Sequence, residues 1–378
     1  MAYIKTIGFP RMHKEENERR DFLPSLFGEL GSYGNIEIFV EKGYGSAMGF
    51  TEKDYLAYNP KIKFVDHDEI YMKDMVVVLR APKDEELEIM KPGSVLVSML
   101  HYETQESRDK LLMDKGIKCF SMDGFKDDRN IRMLVNYAGT SRAGSKVAFA
   151  ELKKRMKGFY SSSRRPIQIT IIGMGAVGIN AAKAFEEFSD EEFYYKNWEM
   201  PGFLITMLPR NITKNEKYLR KILSHTDILV DASKREDATQ IIVANEMIEA
   251  MPEHAVILDL SADPYNDKLQ PIQVKGIEGI PTGNIDKYVI ETNDELYDTI
   301  PEGVGSKNRR LVVSCNAWPA VEPKECMAIY NEQLAPFLKV LMTRDIDDLD
   351  INSDNLHERS LVRASLSYFM QNNSNQAL

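Results

Sequence analysis

The sequence predicts an α/β fold made of two Rossmann-like domains with parallel sheets, the first of them discontinuous. Three observations carry this. Over residues 1–140, short runs rich in β-branched and aromatic residues alternate with helix-like pieces, the pattern of strands joined by crossover helices. A second series opens at residues 166–188, PIQITIIGMGAVGINAAKAFEEF, where a buried strand meets a glycine turn and an alanine-rich helix. After the last strand-like run, LVVSCNAWPAVEP, the chain is almost wholly helical, as expected if it returns to finish the first domain. The expected division is therefore 1–140 plus 316–378 around an inserted 141–315.

The first series reads in order as follows. IKTIGFP is a short strand, RRDFLPSLFGELGSYG a helix with a glycine stop, and NIEIFVEKG a strand. A helix capped at Thr51 follows, then DMVVVLRAP, a strong strand ended by proline. DEELEIMKPG is an acidic helix, SVLVSMLHY a strand ending near His101, ESRDKLLMDKG a helix and IKCFSMD a strand. Residues 130–157 read as one long helix, and the serine-rich, basic GFYSSSRRP after it reads as a boundary. In the second series GFLITML, TDILVDAS and HAVILDLSAD are strands, with LRKILS and DATQIIVANEMIEAMP as helices between them. CMAIYNEQLAPFLKVLM and HERSLVRASLSYFM are the closing helices, separated by an acidic loop.

Length and composition bound the function. The 378 residues are 43% hydrophobic, enough for two proper cores. A net charge of −10 argues against nucleic acid and anionic membranes as main partners. No run has the length of a membrane span, and the N-terminus lacks the apolar stretch of a signal peptide. Cys119, Cys315 and Cys326 form no CxxC pair, and the histidines at 13, 67, 101, 225, 254 and 357 show no i, i+4 spacing, so no metal site is expected. The expectation is a cytoplasmic enzyme of small molecules, with a homo-oligomer left open.

Gly173, Gly175 and Gly178 form G-x-G-x-x-G between a strand and a helix, a context that makes the pattern strong. The first glycine permits the tight turn, the second lets backbone approach a pyrophosphate, and the third lets helix and strand pack closely. Ala176 and Val177 open the helix, whose N-terminal N–H groups suit phosphate. The next strand tip, in FLITMLPRNITKN, carries Arg210 where an acidic residue would read a ribose 2′-hydroxyl. A cation there suits a 2′-phosphate, so NADP(H) is favoured, with NAD(H) retained. Asp231 and Ser233, leaving TDILVDAS, sit at the ligand-binding carboxyl edge of the expected sheet, as do Asp259 and Asp263 on the next strand.

These motifs together resemble the alanine dehydrogenase / pyridine nucleotide transhydrogenase superfamily, which includes lysine-forming saccharopine dehydrogenase and N5-(carboxyethyl)ornithine synthase. The resemblance runs over nearly the whole chain through GFPRMHKEENERRDFLP, FVEKGYGSAMGFTEKDY, VVVLRAP, SMDGF, ILDLSADP and CNAWPAVEPKE. It implies that Arg19, five residues before Pro24, binds a substrate carboxylate, that Asp123 contributes to substrate binding, and that His101, 21 residues after Arg80, is the catalytic histidine. It implies that Asp263 orients the substrate amine or the nicotinamide ribose. Arg80 stands where the family has its active-site lysine. An arginine stays protonated, so it can clamp a carboxylate or carbonyl oxygen but cannot trade protons, which leaves His101 as the acid/base of that domain.

The implied reaction is NAD(P)H-dependent reduction of the imine formed between a 2-oxo acid and an amino acid amine, and its reverse. The ENERR opening is similar to the carboxyethylornithine synthase type. Two alternatives are carried: reductive amination with ammonia, of alanine dehydrogenase type, and a catalytically silent NADPH-binding regulator. The expected site lies in a cleft between the domains, with His101 and Arg80 facing the nicotinamide.

Overall fold

The computed structural model describes residues 4–13 and 15–376 and divides into two units, 1–136 with 323–378, and 137–322.

The first unit is built on a six-stranded parallel sheet of order β3-β2-β1-β4-β5-β6. Its strands are β1 Thr6–Phe9, β2 Glu37–Glu41, β3 Lys63–Val65, β4 Met75–Arg80, β5 Val95–Met99 and β6 Lys118–Ser121. The chain winds outward from β1 in one direction, then returns to place β4 on its other side, so a topological switch point lies between β1 and β4. β4 reads MVVVLR and is buried except at Arg80, as a central parallel strand covered on both faces must be. The return helix Pro323–Thr343 closes the core, stacking Phe337 on Phe125 at 4.1 Å between ring centroids. Phe9, Phe27 and Tyr55 meet edge to face beneath the opposite half of the sheet.

The second unit has order β11-β12-β10-β9-β7-β8, with β7 Ile167–Ile172, β8 Phe203–Leu208, β9 Ile228–Asp231, β10 Val256–Asp259, β11 Val289–Ile290 and β12 Leu311–Ser314. All pairs are parallel except β11 on β12. β7 lies between β8 and β9, the second switch point. Helix Tyr137–Arg155 covers this sheet through small residues. A Cβ on Gly144 would lie 2.6 Å from Leu260 and 3.3 Å from Trp318, so the glycine is what lets the helix sit so close.

Four local expectations change. The long helix begins at Tyr137, because residues 130–136 form a loop in which Asn130 adopts φ +63° and the Val135 N–H donates to the Gln333 side chain. GFYSSSRRP lies within the second unit, where Phe159 is buried and packs against Phe193; the divisions fall at 136/137 and 322/323. Residues 237–252 hold only the short helix Asn245–Ile248, since Asp237 binds Thr239 and Val243 bridges Ile277. β3 and the helix His67–Tyr71 escaped the sequence reading because three residues carry too little pattern. No helix among the described residues is long and apolar enough to cross a membrane.

Candidate active site

In the second unit, β7 ends at the glycine turn. Gly173 has φ +104°, and a Cβ on it would stand 2.4 Å from the Ala232 carbonyl oxygen. A Cβ on Gly178 would stand 2.2 Å from the Gly173 carbonyl oxygen. Both positions therefore require glycine on packing grounds. Gly175 differs: a Cβ there would meet nothing within 4 Å, so the protein itself leaves this backbone open to a close approach. Ala176 and Val177 begin helix Ala176–Ser189, and the Ser141 hydroxyl donates to the Val177 carbonyl at 2.8 Å, fixing that first turn.

A cleft of about 850 Å³ opens here, lined by Gly173, Met174, Gly175, Arg210, Ser233 and Lys234 among others. Asp231, at the end of β9, is fully buried below it. Its Oδ1 accepts the Ser233 N–H at 3.0 Å, while Oδ2 and the Ser233 hydroxyl have no well-formed partner among the described residues. Burial, aided by the Asp259 charge, pushes the Asp231 carboxyl up to about 6. Unsatisfied buried polar atoms beside an open glycine turn are what a sugar and pyrophosphate would complete. Arg210 follows β8 and Pro209, is mostly exposed, donates to the Lys234 carbonyl at 3.1 Å and lies 3.6 Å from the Glu236 carboxylate, which also lines the cleft.

The other carboxyl-edge residues are already engaged. Asp263 pairs at 2.6 Å with Arg235, a buried cation that also donates to the Gln240 and Val274 carbonyls. Asp259 is held by the fully buried Lys275 at 2.8 Å and by the Ser314 hydroxyl at 3.0 Å. Burial alone would raise the Asp259 carboxyl, but the Lys275 ammonium outweighs it and holds it below the ordinary range. Lys275 and Arg235 were missed in the sequence, since each lies in irregular chain where no period marks burial.

In the first unit, β4 and β5 present their ends side by side, with Arg80 in register with Met99 and His101 two residues beyond. His101 adopts φ +49° and ψ +56°, a left-handed conformation that costs a Cβ-bearing residue energy and is kept only where neighbours impose it. Asp123 does so: its Oδ1 accepts the His101 N–H at 3.2 Å and the Ser121 hydroxyl at 2.6 Å, and its Oδ2 lies 3.5 Å from His101 Nδ1. The Leu100 N–H donates to the same Ser121 hydroxyl at 3.0 Å. The imidazole remains 58% exposed. Asp123, expected at the substrate, is thus first a partner of the histidine.

Arg80 donates from Nη1 to Glu15 at 2.9 Å and lies 3.4 Å from Glu18. Glu18 is buried and held by both Nε and Nη2 of Arg20, at 2.9 and 2.7 Å. Burial would raise the Glu18 carboxyl, but Arg20 and then Arg80 more than offset it and hold it low. Arg19 is exposed, and only its backbone N–H joins this network, to Glu18 at 3.1 Å. The cation buried against Glu18 is Arg20, one residue from the position that the resemblance implies. A separate group gathers at the same sheet edge: Glu41 receives His13 Nε2 at 2.9 Å and His67 Nδ1 at 3.1 Å, although no chain spacing hinted at it.

Comparison with known proteins places both units. Residues 8–140 match the family described as alanine dehydrogenase/PNT, N-terminal domain, and residues 131–268 match D-isomer specific 2-hydroxyacid dehydrogenase, NAD binding domain. The alanine dehydrogenase of Bacillus subtilis (strain 168) is 26% identical over 268 residues, covering 68% of this chain and 70% of that protein. That of Methanococcus maripaludis is 24% identical over 269 residues, covering 68% and 72%. Among solved structures, an L-alanine dehydrogenase aligns with a TM-score of 0.71 at 18% identity, over 95% of this chain and 94% of the other. A transhydrogenase from Sinorhizobium meliloti aligns with 0.64 at 14%, over 89% and 94%. Those two likenesses bear on the fold, and the glycine turn, the open cleft and the matched families agree on a nicotinamide dinucleotide. The chain is a nicotinamide-dependent oxidoreductase whose relatives include alanine dehydrogenases.

Proposed function

We propose that the protein interconverts a 2-oxo acid and the corresponding amino acid by NAD(P)H-dependent reductive amination, with ammonia as the amine donor. The observation that carries this reading is the placement of Arg80 and His101 on neighbouring strand ends, a guanidinium beside an imidazole that can pass a proton. Curated relatives named alanine dehydrogenase favour ammonia over an amino acid as the amine.

When bound, the nicotinamide supplies the hydride for reduction or accepts it in the reverse direction. The chain supplies the rest. The face of Arg80 not engaged by Glu15 holds the substrate carboxylate or carbonyl oxygen. His101 donates a proton to the departing hydroxyl as the carbinolamine dehydrates, and takes one from water on return. Asp123 keeps its ring aimed. Asp263 braces Arg235 at the cleft wall, in place of the direct substrate contact that the resemblance implies. Gly173, Gly175, Gly178 and the turn Ala176–Val177 hold the pyrophosphate, Asp231 and Ser233 the adjoining sugar, and Arg210 a 2′-phosphate, which makes NADPH the preferred coenzyme.

One observation supports the second reading, a secondary-amine product. A cleft of about 450 Å³ adjoins Asp123, lined by Tyr102, Lys126, Arg363, Tyr368 and Phe369, with room and charge for an amino acid as amine donor. Oxidation of NADPH and NADH, followed by absorbance with 2-oxo acids paired with ammonia or with amino acids, tests both. Turnover with ammonia is expected. Turnover only with amino acids establishes the second reading, and no turnover with any pair would leave a dinucleotide-binding regulator.

A further inference from the structure

We propose that His13, Glu41 and His67 form a binding site for one divalent transition-metal ion of the zinc class, outside the catalytic machinery. The sheet order β3-β2-β1 explains how three residues distant in the chain meet: His13 follows β1, Glu41 ends β2, and His67 opens the helix after β3. One ligand atom from each, a ring nitrogen of either histidine and a Glu41 carboxylate oxygen, all lie within 4.8 Å of one another. Tetrahedral coordination at Zn–N distances near 2.0–2.1 Å needs ligand separations of roughly 3.4 Å, so small side-chain shifts complete the site.

The surroundings are those of a ligand set. Glu41 is buried, and its Oε2 accepts the Arg11 N–H at 2.7 Å, which fixes the carboxylate. The other nitrogen of His67, Nε2, lies 3.3 Å from Glu86 Oε1. A ligating histidine that gives its second N–H to a carboxylate is the usual outer-shell arrangement, because it sets the tautomer and raises basicity. Tyr71 packs edge-on against the His67 ring at 5.2 Å between centroids, which limits its rotation. His67 faces a carboxylate through each ring nitrogen, Glu41 on one side and Glu86 on the other. A divalent ion on His67 Nδ1 leaves Nε2 facing Glu86.

Imidazole nitrogens select zinc, cobalt, nickel or copper over magnesium and calcium. Both rings are about one-third exposed, so the fourth position opens to water. The consequence reaches beyond the ion. His13 lies at the start of the segment between β1 and the helix that opens at Pro24, whose described residues, 10–13 and 15–23, form neither helix nor strand and include Glu15, Glu18 and Arg20. An ion fixing His13 to the ends of β2 and β3 orders the segment whose carboxylates hold Arg80.

The test uses the untagged full-length chain. Co²⁺ is titrated in and followed by visible absorption, and Zn²⁺ by calorimetry. One ion per chain is expected. His67→Ala and His13→Ala should abolish high-affinity binding, and Glu86→Gln, which leaves all three ligands, should weaken it about 10- to 100-fold. His225→Ala, far along the chain in the other unit, serves as control and should bind as wild type. Circular dichroism of each variant establishes folding. Failure of Co²⁺ and Zn²⁺ to bind the wild-type chain, or binding unchanged in both His67→Ala and His13→Ala, would overturn the proposal.

Discussion

Replacing Asp231 by asparagine should stabilise the second unit at neutral pH. The carboxyl is fully buried, its Oδ2 has no well-formed donor, and burial together with the Asp259 charge raises its pKa to about 6 from 3.8. Because the folded value lies above the unfolded one, folding takes up a proton. The neutral form's contribution is complete below about pH 4 and is lost as the pH rises through about 6. The difference of about two pKa units corresponds to about 3 kcal/mol above pH 6. Asparagine keeps the carbonyl that accepts the Ser233 N–H and removes the charge, although its amide needs an acceptor that the Ser233 hydroxyl only partly supplies. A net gain of about 2 kcal/mol is therefore expected near pH 8, giving way to a loss of about 1 kcal/mol near pH 4, where only the amide's cost remains. Both tryptophans, Trp198 and Trp318, belong to the second unit, so their fluorescence during urea unfolding reports that unit alone. An Asp231→Asn effect of equal size at both pH values would refute the burial argument.

Three further outcomes follow from the same geometry. Gly178→Ala drives a Cβ to 2.2 Å from the Gly173 carbonyl, so it should cost about 1–3 kcal/mol and weaken dinucleotide binding at least about tenfold by calorimetry; wild-type affinity would show that the turn does not cradle the ligand. His101→Asn should lower kcat/KM about 10²- to 10⁴-fold and leave the coenzyme Kd unchanged; an unaltered rate removes the histidine from catalysis. Arg210→Ala should raise the Kd for NADPH about tenfold or more with little change for NADH, and equal changes for both would exclude a 2′-phosphate role.

The glycine turn was legible because its three positions answer to local sterics: two would clash with backbone, and one faces open space. The parallel strands were legible because burial on both faces writes continuous apolar runs such as MVVVLR and IQITII. What stayed hidden depends on pairing at a distance. Arg20 rather than Arg19 is buried because Glu18 turns inward, a fact about a segment without period. The partner of Asp263 is Arg235, 28 residues earlier, and the partner of Asp259 is Lys275 in irregular chain. The group of His13, Glu41 and His67 exists only through the order of three strands, which no spacing rule along the chain encodes. The start of the long helix was misplaced for a related reason: helix-compatible residues 130–136 are drawn into a loop by Gln333, which arrives from the other end of the sequence.

The most direct measurement of the central claim follows the transferred hydrogen. NADPH carrying deuterium at the reactive position of the nicotinamide ring is incubated with the full-length protein, ammonia and a 2-oxo acid, and the product is examined by mass spectrometry and proton NMR. The account predicts an amino acid with one deuterium, located at the α-carbon. Coenzyme that remains unoxidised with every 2-oxo acid and amine offered, or an amino acid free of deuterium, would contradict it.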